Sequence, residues 1–180
     1  MIQSLKTPQM TKSSVIFTTC CKTETDTALL GAKLAPIMKK GDVIALEGPL
    51  GSGKSVLARG FIRSLCGQDT IVTSPTYNLV QVYVCSVFEV WHCDLFRLEE
   101  KDEIFEVGLD EAFENAVTII EWPSQLGCWL PDRRLRISFK GEELDGARCI
   151  VFEGNSRWQM RLEGWLSNVE SRYADKLFSV

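Results

Sequence analysis

The sequence predicts an α/β fold, a sheet flanked by helices on both faces with some antiparallel strands in it. Three observations carry that prediction. The apolar run Val43–Glu47 leads without a break into the glycine-rich stretch Gly48–Ser55, and a helical pattern follows. Strand-like and helix-like segments alternate from residue 15 to residue 120. Late in the chain, Leu135–Phe139 and Arg148–Phe152 flank Gly141–Gly146 in the manner of a hairpin.

The elements follow in order. Residues 1–14 are polar and read as a flexible N-terminal tail, ahead of one domain over 15–180. Val15–Thr19 reads as a short strand. Thr23 and Asp26 stand three apart, as in a capping box, and predict a helix start. Leu30, Leu34, Ile37 and Met38 continue at helical spacing until Gly41 can end the helix. Past the glycine-rich loop, Leu57, Phe61 and Leu65 mark one face of a second helix, with Gly67 as its stop. Asn78–Tyr83 and Val84–Cys93 read as strands, Glu99–Glu106 and Asp110–Phe113 as short helical turns, and Ala116–Ile120 as a buried strand. Trp158, Leu162, Trp165 and Val169 mark a final amphipathic helix.

Composition narrows the function. The chain has 180 residues, 45% of them hydrophobic, which suits one globular domain with a sizeable core. A net charge of -4 argues against strong non-specific nucleic-acid binding, which needs a surplus of Lys and Arg. No apolar run approaches the length that spans a bilayer, and the N-terminus has no signal-peptide pattern, so a cytoplasmic protein without membrane contact is expected. Seven cysteines include no C-x-x-C pair, and reduced, unliganded thiols are expected. One histidine, His92, cannot build a histidine metal cluster.

The chemistry concentrates in Gly48-Pro49-Leu50-Gly51-Ser52-Gly53-Lys54-Ser55, a full match to G-x-x-x-x-G-K-[ST]. Gly48, Gly51 and Gly53 let the backbone wrap phosphate oxygens in conformations that a side chain blocks, and Ser52 lies within the wrap. Lys54 supplies a positive charge to the β- and γ-phosphates and, facing phosphate, is expected to pack little. Ser55 offers a hydroxyl to Mg²⁺, and the helix that follows adds its positive end. The sheet is therefore expected to be of the P-loop NTPase type.

Such a site also needs a carboxylate near the metal, at the end of a buried strand. Glu121 and Asp94 both qualify, and the residues alone do not rank them. Thr76, in Ser74-Pro75-Thr76-Tyr77, has a hydroxyl for the γ-phosphate or metal if that segment is a switch; otherwise Ser-Pro is a turn entering a strand. Trp122 either packs beside a nucleotide or belongs to the core. No Asn-Lys-x-Asp element for reading guanine is present. Arg133, Arg134 and Arg136 read as solvated charge.

Four blocks in order resemble the TsaE (YjeE) family, over about Glu24 to Arg148. They are Gly48 to Ser55, Ser74-Pro75-Thr76-Tyr77-Asn78-Leu79-Val80, His92-Cys93-Asp94-Leu95-Phe96-Arg97-Leu98, and Glu121-Trp122-Pro123 with a later Leu130-Pro131. The resemblance implies binding of ATP and Mg²⁺ and association with the TsaB–TsaD pair. That assembly transfers a threonylcarbamoyl group to an adenosine in tRNA, and the small ATPase drives or resets the cycle, meeting tRNA only through the complex. It further implies that Lys54 and Ser55 hold phosphate and metal, that Glu121 is the metal-side acid, and that Asp94 is a switch or catalytic acid. Glu24 falls where family members approach the nucleotide, with Arg148 and neighbouring Gly146 as further candidates. His92 is then a shape or partner residue.

The chain departs from the family pattern at three positions. Pro49 replaces an Asp, Ser55 replaces a Thr but keeps the hydroxyl, and Val56 stands where a second Thr is common. Val56 forgoes a contact to the α-phosphate, worth roughly 1 kcal/mol as one ordinary hydrogen bond. Two other functions share the loop. A small-molecule kinase would need an acceptor pocket and a basic lid, and a nucleotide-binding adaptor would never turn ATP over. No arginine is placed in the sequence as a finger in cis, so hydrolysis is expected to be slow without partners.

Overall fold

The computed structural model describes residues 13–75, 78–98, 108–142 and 147–173. Its strands are β1 (Ser14–Cys21), β2 (Val43–Glu47), β3 (Val80–Val84), β4 (Glu89–Asp94), β5 (Val117–Glu121), β6 (Leu135–Glu142) and β7 (Arg148–Gly154). The helices among the described residues are α1 (Glu24–Leu34), α2 (Lys54–Cys66), α3 (Leu109–Asn115) and α4 (Ser156–Tyr173). The strands form one sheet in the order β1-β7-β6-β2-β5-β4-β3. Strands β6, β2, β5 and β4 are parallel to their neighbours in that row. The pairs β1–β7, β7–β6 and β3–β4 are antiparallel. This is the expected α/β sheet with its antiparallel additions, and the predicted late hairpin is β6–β7.

Alternation along the central strands sorts side chains between two cores. Ile44, Leu46, Val90, Val117 and Ile119 pack with Leu57, Phe61 and Ile62 of α2 and with Leu30 and Leu34 of α1. Val43, Cys93 and Ile120 pack on the other face with Leu109 and Ala112 of α3. The same parity sends His92, Asp94 and Glu121 to the α2 face. Because β2, β5 and β4 are parallel, their C-terminal ends lie together, with Asp94 paired in register to Glu121.

Helices α1 and α2 meet through small residues. A Cβ on Gly31 would run into the Leu57 carbonyl, and one on Gly60 into the Ala28 backbone. The start of α1 is the predicted capping box: Asp26 N–H donates to Thr23 Oγ1 at 3.0 Å, and Thr23 N–H donates to Asp26 Oδ2 at 2.8 Å. Asp thus fills the place usually taken by Glu or Gln. The helix stops at Leu34, short of Gly41, because Pro36 in the 3-10 turn Ala35–Ile37 has no N–H to continue it.

The expectation of reduced cysteines throughout does not hold. Cys66, ending α2, is joined by a disulfide to Cys85 in the β3–β4 turn, with Cα atoms 4.6 Å apart. The two are 19 residues apart in sequence, and only the packing of the hairpin against the helix end brings them together. Helix α4 closes one face, with Trp158 buried, Arg161 and Arg157 paired to buried Asp42, and Trp165 Nε1 donating to Lys33 O at 2.9 Å. Among the described residues no helix is long and apolar enough to cross a membrane. The expected turn at Glu99–Glu106 and the tail up to residue 12 lie outside the described residues.

Candidate functional site

The glycine-rich loop joins the end of β2 to the start of α2. Gly48, Gly51 and Gly53 have φ of +145°, +77° and +105°, the region L side chains avoid. Gly48 also admits no side chain, since a Cβ there would lie 2.8 Å from Phe139 Cβ. Gly51 faces open space. A Cβ on Gly53 would touch Thr27 Cγ2, Phe139 Cε1 and Arg148 Cδ at 3.4–3.6 Å. The loop is therefore walled by α1, β6 and β7, and the expected proximity of Arg148 is met.

Lys54 opens α2 and is 4% exposed. Its Nζ donates to Gly48 O at 3.0 Å and Pro49 O at 2.8 Å, and lies 4.3 Å from the centre of the Trp122 ring. The expectation that this lysine packs little is therefore corrected: its ammonium has three partners. Burial pushes its pKa down, and the carboxylates of Glu121 and then Asp94 pull it back up.

Ser55 Oγ donates to Glu121 Oε2 at 3.0 Å, while Glu121 Oε1 meets His92 Nε2 at 2.9 Å. Glu121 is 2% exposed and His92 1%. Asp94, the in-register neighbour, accepts from Ser74 Oγ at 3.3 Å and from the Phe96 N–H at 3.1 Å. Two buried carboxylates, a hydroxyl and an ammonium thus converge at the open end of the loop. Trp122 follows Glu121 in a left-handed conformation, φ 59° and ψ 47°, costly for a bulky residue. That twist turns the indole over Lys54 and against Phe96, with ring centres 4.9 Å apart.

Other predicted residues fall as follows. Glu24 is two-thirds exposed and pairs with Arg59 at 3.5 Å, while Thr27, one turn further along α1, makes the contact with Gly53. Val56 is half-buried on α2. Thr76 and Gly146 lie outside the described residues. The arginine cluster is spent on structure: Arg133 pairs with Glu114, Arg134 with Asp132, and Arg136 with Glu47 and Glu153. Sequence reasoning missed Phe139 and Thr27 as loop walls. No local signal marks either, because both reach the loop only through the sheet order and the α1–α2 contact.

The donor set fits a bound phosphate and a divalent cation. Among the described residues, Ser52 Oγ and Arg148 Nε are buried without a hydrogen-bond partner, and both belong to the loop or its wall. Buried polar atoms left in this way mark a place for further acceptors. Gly51 to Ser55 would hold phosphate oxygens, and Ser55 with Glu121 would hold the cation, hard oxygen donors of the kind Mg²⁺ takes.

Comparison with known proteins agrees with this geometry. The family model "Threonylcarbamoyl adenosine biosynthesis protein TsaE" matches residues 21–150. The tRNA threonylcarbamoyladenosine biosynthesis protein TsaE of Rickettsia bellii is 35% identical over 133 residues, covering 74% of this chain and 92% of its own. Its Bacillus subtilis counterpart is 36% identical over 140 residues, covering 77% and 86%. The crystal structure of Bacillus subtilis YdiB superposes with a TM-score of 0.71 at 28% identity, over 87% of this chain and 96% of that one. With the loop, its walls and its paired carboxylates in place, the chain belongs to the TsaE family of threonylcarbamoyl adenosine biosynthesis proteins.

Proposed function

We propose that this chain binds ATP with Mg²⁺ at the Gly48–Ser55 loop and hydrolyses it. In doing so it supports, with TsaB and TsaD, the threonylcarbamoylation of an adenosine in tRNA. The observation that carries the reading is the Ser55–Glu121 contact beside Lys54, at the mouth of a loop whose glycines take positive φ. A hydroxyl and a carboxylate at 3.0 Å, next to a buried ammonium, are the parts that hold a metal and phosphate together.

In this reading Lys54 and the loop N–H groups bind phosphate oxygens, and the Arg148 stem shapes the wall beside Gly53. Bound Mg²⁺ neutralises charge on the phosphates. Asp94, held by Ser74 and Phe96, orients the attacking water and accepts its proton as the γ-phosphoryl group leaves ADP.

The test is calorimetry of ATP with and without Mg²⁺, followed by single-turnover phosphate release alone and with TsaB and TsaD. Mg²⁺-dependent binding and faster release in the assembly are expected. Equal release rates in both conditions would defeat the idea that partners complete the site. A phosphorylated small molecule in place of free phosphate would make the chain a kinase.

A further inference from the structure

We propose that His92 is a positioning residue for Glu121, fixing the carboxylate so that one oxygen stays turned to Ser55 and the cation place beside it. The inference rests on the ATP and Mg²⁺ reading above and deepens it. His92 lies on β4, two residues before Asp94, and parity sends both to the α2 face. Its Nε2 is 2.9 Å from Glu121 Oε1, and the other oxygen of the same carboxylate accepts from Ser55 Oγ at 3.0 Å. The carboxylate is thus gripped from both sides, by a strand and by the first turn of α2. With neither grip would its terminal torsion, broad for a free Glu, hold one orientation.

The ring's hydrogen can be assigned from its partners. A carboxylate oxygen only accepts, so Nε2 carries the hydrogen. Nδ1 is buried with no hydrogen-bond partner among the described residues, which suits a bare lone pair better than an N–H. The pair is not a surface ion pair that side-chain motion would blur: both residues are almost wholly buried. Outer partners of this kind orient metal-binding groups, and their loss lowers metal affinity by about 10- to 100-fold.

The chain contains one histidine, so a two-bond ¹H–¹⁵N spectrum of the tag-free protein reports His92 alone. A single pattern with hydrogen on Nε2, disturbed by Glu121→Gln, is expected. A wild-type pattern with hydrogen on Nδ1, or a mixture of the two tautomers, overturns the inference. The second measurement is ATP affinity with and without Mg²⁺. His92→Leu should lose about 10-fold or more of the affinity that Mg²⁺ adds, while metal-free affinity holds. His92→Gln, which keeps an N–H at similar reach, should restore most of the loss. If His92→Leu does not fold, His92→Gln and the wild-type spectrum decide: both must behave as stated. A Mg²⁺ gain kept whole in folded His92→Leu overturns the positioning role alone. A wild-type protein whose ATP affinity ignores Mg²⁺ overturns the metal reading and this inference with it.

Discussion

Replacing Lys54 separates the loop's binding role from its part in the fold. The ammonium donates to two loop carbonyls and lies over Trp122, so truncation has a structural cost as well as a functional one. A hydrogen bond to a charged group contributes about 1.5–3 kcal/mol net, and a cation–π contact about 1 kcal/mol. Burial works against the charged form, as the lowered pKa of Lys54 indicates, so the sum falls at the low end. Lys54→Ala should therefore cost about 2 kcal/mol. In a chain of this size that is a fall in Tm of roughly 4–8 °C by circular dichroism. Loss of the phosphate contacts should cost about 3 kcal/mol of binding, or about 100-fold in Kd for ATP. The variant is thus expected to be folded at 25 °C and nearly blind to ATP by calorimetry. An unchanged ATP affinity would refute the phosphate role, and a variant unfolded at 25 °C would make Lys54 a structural residue first.

Three further outcomes are expected. Glu121→Gln should weaken the Mg²⁺ dependence of ATP binding, whereas Asp94→Asn should spare binding and slow turnover in the assembled complex; calorimetry and phosphate release tell them apart, and the reverse pattern would overturn the assignment. Gly60→Ala places a methyl group against the Ala28 backbone and should cost about 1–3 kcal/mol, seen as a lower Tm; an unchanged Tm would mean the two helices separate without penalty. Between the lowered folded pKa of Lys54 and its ordinary 10.5, the unfolded chain binds more protons, so stability from this group rises with pH there. Denaturant titrations across that window should show the rise in wild type and lose it in Lys54→Met, and parallel pH slopes would contradict it.

Local chemistry was legible in the sequence, and long-range contact was not. The loop could be read because its three glycines meet a backbone demand that is local, φ above zero at fixed spacing. The Thr23–Asp26 cap and the β6–β7 hairpin were legible for the same reason. Glu121 and Asp94 were legible as strand ends, but their pairing in register depends on β4 and β5 lying side by side. Trp122 ran against expectation, since a residue before proline favours extended backbone, and here it is left-handed. Its indole reaches Lys54 only through that twist. The end of α1 was misplaced because apolar spacing continued past Pro36, while the missing N–H stopped the helix. The Cys66–Cys85 bond had no motif to announce it.

Charge explains why the metal should matter at Glu121 more than at Lys54. Lys54 brings one positive charge to a place where Glu121 and Asp94 both act on it, and both acids are almost wholly buried. The ammonium is moreover already engaged by Gly48 O, Pro49 O and Trp122. A triphosphate entering alone would face two fixed carboxylates, and like charges 4 Å apart cost about 4 kcal/mol at an effective dielectric of 20. A divalent cation held by Ser55 and Glu121 reverses that sign, turning one carboxylate from an obstacle into a ligand. Removing the Glu121 charge should therefore have opposite effects in the two conditions. Metal-free ATP should bind Glu121→Gln at least as well as wild type, while the gain on adding Mg²⁺ shrinks. A variant that loses affinity equally with and without Mg²⁺ would show that Glu121 shapes the loop and does not serve the cation.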